Sequence, residues 1–134
     1  MKTDTAHMLS RLHRLGISAP DALALRRVAM TLRRWHEGEC NGTIQRDDDT
    51  GRVYGFNPNA RYVDPYDPRA YYRIQDRETG ALKRLDAIMA RYPSLSAYVQ
   101  GDPRGPALYI LRPGDVPEGA DVQSYYSRGV AVYK

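Results

Sequence analysis

The chain changes texture once, at Cys40-Asn41-Gly42, and that change limits the folds open to it. Before it, apolar residues recur at helical spacing. After it, they come in short stretches separated by glycine, proline and aspartate. All eleven tyrosines lie at or beyond Tyr54, and tyrosine favours strands and half-buried sheet positions. A helical first third followed by strands and turns predicts an α+β fold: two N-terminal helices, then a mostly antiparallel sheet with a third helix inserted. A length of 134 residues fits a single domain, helical over 1–40 and mixed over 41–134, and is enough for one core.

Thr3–Leu15 reads as the first helix, with Met8, Leu9, Leu12 and Leu15 on one side and His7, Arg11 and Arg14 on the other. Gly16 follows where a helix-ending glycine belongs. Ser18-Ala19-Pro20-Asp21 opens the second helix, which runs to Cys40. The serine caps, the proline sits in the first turn, and the aspartate meets the positive end of the dipole. Thr43–Arg46 and Arg52–Phe56 flank Asp47-Asp48-Asp49-Thr50-Gly51 as a hairpin. Asn57–Arg69 contains three Asx-Pro steps and reads as a loop, and Ala70–Gln75 as a third strand. The third helix spans Asp76–Tyr92, with Leu82, Leu85, Ile88, Met89 and Tyr92 as its apolar face and Pro93 as its stop. Strands follow at Ala97–Gln100 and Ala107–Arg112, joined by a turn at Gly101–Gly105, then a short helix at Asp121–Ser127 and a last strand at Gly129–Tyr133. Leu25, Leu32, Trp35, Leu85, Ile88, Leu108 and Ile110 are the expected core.

The charge is uneven. The formal total is +4, and residues 1–40 hold seven basic and four acidic side chains, so +3 of it lies in the first third. Seventeen arginines stand against three lysines. Arg26, Arg27, Arg33 and Arg34 form two pairs on the second helix, whose apolar stripe is Leu25, Val28, Ala29, Leu32 and Trp35. At about 100° per residue the pairs fall within roughly 120° of each other, nearly opposite that stripe. Basic residues on an outer helix face ordinarily serve solubility. Arginine's planar fork of donors, however, grips carboxylate or phosphate in a way lysine does not. The expected binding surface is therefore Arg26, Arg27, Arg33 and Arg34, with Arg11 and Arg14 of the first helix adjacent. Arg77, Arg84 and Arg91 form a separate rim along the third helix.

Other constellations fail on their chemistry. Counted from Asp47 as a calcium loop, the sixth position is Arg52 where glycine is needed and the twelfth is Pro58 where glutamate is needed. His36 and Cys40 are one helical turn apart, but a structural zinc site needs four ligands, and His7 and His13 lie on different faces of another helix. Gly101–Ala107 lacks a phosphate cradle, because Pro103 and Pro106 remove donors and a strand follows. No metal, cofactor or catalytic residue is expected. One cysteine excludes an internal disulfide and suits a reducing compartment. No apolar run has the length of a signal core or a membrane span, so a cytoplasmic location and no membrane partner are expected. Tyrosines interleaved with Arg61, Arg69, Arg73 and Arg128, including the doublets Tyr71-Tyr72 and Tyr125-Tyr126, have the composition of an interface. They suit stacking on unpaired bases or pairing with a second copy of the chain.

Several stretches carry a resemblance. These are Leu32-Arg33-Arg34-Trp35-His36-Glu37; Ile88-Met89-Ala90-Arg91-Tyr92-Pro93 through Tyr98-Val99-Gln100-Gly101-Asp102-Pro103-Arg104-Gly105; Ala107–Pro117; and Tyr125–Tyr133. Together they resemble small proteins encoded by phages and prophages of proteobacteria. The resemblance implies a setting, a phage accessory gene working inside a bacterial cell, and assigns no catalytic residue. The function expected is non-enzymatic binding of nucleic acid or a host nucleoprotein complex, with an anti-defence inhibitor of the anti-CRISPR or anti-restriction type as its sharpest form. Alternatives are a small enzyme on a phosphate-containing substrate and a structural virion or packaging component.

Overall fold

The computed structural model describes residues 3–56, 71–100, 107–120 and 128–132. Along the chain run α1 (Thr3–Arg14), α2 (Ala19–Cys40), β1 (Ile44–Arg46), β2 (Val53–Phe56), β3 (Tyr71–Ile74), α3 (Arg77–Met89), β4 (Ser96–Gln100), β5 (Ala107–Leu111), a 3₁₀ turn (Pro113–Asp115) and β6 (Val130–Val132). The fold is mixed α+β, with two N-terminal helices and a third after β3. Among the described residues all strand pairs are antiparallel, and they divide into two three-stranded sheets, β1-β2-β3 and β4-β5-β6. The expected loop at Asn57–Arg69, the turn at Gly101–Gly105 and the short helix at Asp121–Ser127 lie outside the described residues.

Local chemistry accounts for the element ends. Gly16 takes φ +93°, and beyond it the Ile17 N–H reaches back to the Leu12 carbonyl at 3.1 Å. That bond satisfies a helix-end acceptor while Ile17 enters the core. Ser18 caps α2 through its hydroxyl, which accepts from the Asp21 N–H. In the β1–β2 hairpin the acidic run folds on itself: Asp47 Oδ1 accepts from the Asp49 N–H at 2.9 Å, and the Gly51 N–H closes the turn on the Asp47 carbonyl at 2.7 Å. Asp76 caps α3, accepting from the Thr79 N–H at 3.1 Å.

One core joins α1, α2, α3 and the second sheet, with Met8, Leu12, Ile17, Leu25, Val28, Leu32, Leu85, Ile88, Leu108 and Ile110 buried together. Each such side chain contributes about 1.5–3 kcal/mol on leaving water. All seven expected core residues are buried. Along α3 the packing stripe is Ala81, Leu85 and Ile88, at i, i+4 and i+7. Leu82, about 100° further round the helix, stays 41% exposed, so it does not belong to the face expected for it.

The helices α2 and α3 run antiparallel, tied directly at one end and by way of β1 at the other. Near the start of α2, the Asp21 carboxylate accepts from the Arg91 guanidinium and the Tyr92 hydroxyl beyond the end of α3. The Tyr92 oxygen in turn accepts from the Ser18 N–H at 3.2 Å. At the other end, Arg46 on β1 donates to Asp76 at 2.7 Å and lies 3.6 Å from Glu78. Gly38, buried near the end of α2, lets β1 press directly on the helix. A Cβ there would stand 2.5 Å from Ile44 Cδ1.

Candidate nucleic-acid interface

The four arginines of α2 are not equivalent. Arg27 and Arg34 are exposed, whereas Arg26 and Arg33 are half-buried. The Nε atoms of the inner pair are buried with no hydrogen-bond partner among the described residues. Their side chains therefore lie along the protein as far as Nε, as long cationic side chains commonly do. Among the described residues none of the four is ion-paired. On α1, Arg11 is half-buried and Arg14 exposed. The Arg14 carbonyl accepts from the Arg112 guanidinium at 3.5 Å, which adds a third cation to that helix end.

Beside Arg34 of the outer pair lies a cleft of about 450 Å³. Thr31, Arg34 and Trp35 line it from α2, Ile44 from β1 and Ile74 from β3. Gln75 and Arg77, at the junction of β3 and α3, complete it. Arg34, Gln75 and Arg77 are exposed, so the rim is polar and cationic over an apolar floor. A second hollow of about 560 Å³ shares Ile74 and Gln75 and brings in Arg52 and Arg73, both exposed. Two devices hold this geometry: the close approach of Ile44 to Gly38, and the clamp of Arg46 on Asp76.

The carboxylates here are committed. The Arg46 hydrogen bond, supported by Thr79 and opposed by burial, holds the Asp76 carboxyl at about 2 against the usual 3.8. Asp76 in turn raises the Arg46 pKa. Burial is the main cause of a raised Glu78 pKa, reinforced by the charge of Glu39. Nearby, the Trp35 indole N–H donates to Glu39 Oε1 at 3.1 Å. Cys40 Sγ lies 3.4 Å from His36 Nε2, but no group of three His, Cys, Asp or Glu side chains among the described residues is placed to hold a metal ion.

The α2 face thus carries four cations that are unpaired among the described residues, and the structure adds residues that the sequence pattern did not single out. Arg77 joins Arg34 at one cleft although it belongs to the rim assigned to the third helix. Thr31, Gln75 and Ile44 carried no signal of their own. The one available signal was Gly38, since a glycine inside a helical pattern marks a close approach of another segment. Of the tyrosines, Tyr98 and Tyr109 are half-buried and face each other across β4 and β5; the side chains of both doublets lie outside the described residues. No helix among the described residues is long and apolar enough to cross a membrane. No protein-family model matches the chain, and no curated protein or solved structure matches it either.

Proposed function

We propose that the protein is a non-enzymatic binding protein whose α2 face engages nucleic acid, free or within a host nucleoprotein complex. The observation that carries this reading is the row of four guanidinium groups, two pairs seven residues apart, with no ion pair among the described residues to neutralise them. Guanidinium forks match phosphate oxygens in bidentate geometry. Four phosphate contacts would give a duplex-binding salt slope near −3.6, at about 0.9 per contact. The resemblance to phage and prophage proteins supports a bacterial cytoplasm as the setting and an anti-defence role as the purpose of such binding. Net positive charge argues against mimicry of DNA, which calls for an acidic surface.

The test is charge reversal of Arg27 and Arg34 together, with Arg84→Glu as the control. Arg77 is unsuitable as a control because it shares the cleft with Arg34. The double variant should bind labelled nucleic acid more weakly with a flatter salt dependence, while Arg84→Glu binds as wild type. Co-purification from bacterial lysate with and without nuclease identifies the partner. Equal binding by wild type and the double variant would leave the stripe as a solvated face. The cleft favours a second reading, an enzyme on a phosphate-containing substrate. Turnover of a phosphorylated compound, lost in Arg77→Ala, would replace the first.

A further inference from the structure

We infer that the cleft between α2, β1 and the start of α3 receives a single unstacked nucleotide, so that the preferred ligand is a single strand rather than a continuous duplex. This rests on the nucleic-acid reading of α2 and deepens it. Four observations converge. The cleft's volume of about 450 Å³ lies within the range of small-molecule sites. Its floor, Ile44 and Ile74, is apolar and suits the flat face of a base. Arg34 and Arg77, from two different helices and unpaired among the described residues, stand where a phosphate would need them. Arg34 belongs both to the α2 row and to the cleft, so a ligand in the cleft is continuous with a polyanion on the helix.

Polar groups for the base edge are also present. The Thr31 hydroxyl gives its proton to the Arg27 carbonyl at 3.0 Å, which leaves its lone pairs to accept from a base. The Gln75 amide is exposed and offers both donors and an acceptor. A base paired and stacked within a duplex cannot enter such a cleft, whereas an unpaired one in a single strand can. The second hollow, reached across Ile74 and Gln75 and bordered by Arg52 and Arg73, provides the continuing path for the backbone. Its one carboxylate, Asp76, is already neutralised by Arg46. Trp35, 4% exposed, serves as a wall of the cleft and not as an open stacking platform.

The experiment uses the whole chain, a labelled single-stranded oligonucleotide, the blunt duplex of the same sequence, and adenosine monophosphate. Anisotropy should show the strand bound at least tenfold more tightly than the duplex. Arg77→Glu should remove that preference, while Arg27→Glu should weaken both ligands alike and preserve it. Trp35 is the only tryptophan, so its fluorescence reports on the cleft in the unaltered protein. It should change on adding the strand and, at higher concentration, the mononucleotide, and stay constant with the duplex. Should the mononucleotide alone produce the change while the strand does not, the site takes a free nucleotide and the strand proposal is overturned. Equal affinity for strand and duplex, both lowered by Arg27→Glu, overturns the cleft proposal and leaves the helix-face reading standing. Absence of binding to any of the three removes both.

Discussion

Replacing Gly38 with alanine sets two opposing effects against each other at one atom. In an unencumbered helix interior the change stabilises by about 1 kcal/mol, because glycine loses more backbone freedom on folding. Here the new Cβ meets Ile44 Cδ1 at 2.5 Å, Cγ1 at 2.7 Å and Cβ at 3.2 Å. Rotating the isoleucine relieves the first two contacts but not the third, which is fixed to the β1 backbone, and β-branched side chains have few rotamers to spare. Overpacking of this kind costs about 1–3 kcal/mol. Taking the middle of that range, the net loss is about 1 kcal/mol. With an unfolding entropy of about 2.1 cal/mol/K per residue, the 134 residues convert this to a fall in Tm of about 4 °C. The decisive assay is a double-mutant cycle by chemical denaturation. In an Ile44→Ala background the Cδ1 and Cγ1 contacts are gone and only that with Cβ at 3.2 Å remains, so Gly38→Ala should be close to neutral, giving a coupling of about 1 kcal/mol between the two sites. A single variant more stable than wild type, with coupling below about 0.5 kcal/mol, would refute the contact and with it the account of how β1 is seated against α2.

Leu25 is fully buried, and Leu25→Ala should cost about 2–5 kcal/mol in urea unfolding. Tyr92→Phe removes the hydroxyl that donates to Asp21 and accepts from the Ser18 N–H; a loss of about 1–2 kcal/mol is expected from calorimetry or denaturant titration. Acid should weaken the fold through Asp76 and Asp21, whose carboxyl pKa values are lowered in the folded state, the first chiefly by the Arg46 hydrogen bond and the second chiefly by the Tyr92 hydroxyl. Because a lowered folded pKa means the unfolded chain binds the proton first, their stabilisation is complete above about pH 5 and declines as pH falls through 3.8 toward 2. Asp76→Asn should flatten that acid limb of the stability curve.

The helices were legible because their signals are local. Periodicity placed Met8, Leu12, Leu25, Leu32 and Leu85 inward, and Gly16, Ser18 and Asp76 mark ends with chemistry that acts within a few residues. The hairpin was legible for the same reason, since Asp47 and Gly51 build the turn between themselves. What escaped depends on distant pairs. Alternation tells which side of a strand is buried but not which strand it joins, so the division into two sheets could not be read from it. Leu82 reads as core by composition, yet the face of α3 is set by where α2 lies, and small Ala81 occupies it instead. The four α2 arginines share one arc of the helix, but only tertiary neighbours divide them into an inner pair lying on the protein and an outer pair free in solvent. The cleft needs Gly38 against Ile44 and Arg46 against Asp76, neither of which is a sequence-local event.

The antiparallel docking of α2 on α3 also has a consequence for the order in which the chain folds. The two helices are separated by residues 41–76, so bringing them together means closing a long connection before their contacts repay it. The first sheet sits inside that connection. Once β1 and β2 have zipped from the Asp47–Gly51 turn and β3 has joined through the Val53–Ile74 and Phe56–Tyr71 registers, the start of α3 is delivered next to the end of α2, with little loop left to close. The sheet then acts as a splint in time as well as in space. On that order, substitutions in its turn should fall chiefly on the folding rate, and those at the Asp21–Tyr92 end of the helix pair on the unfolding rate, a split that chevron kinetics would read.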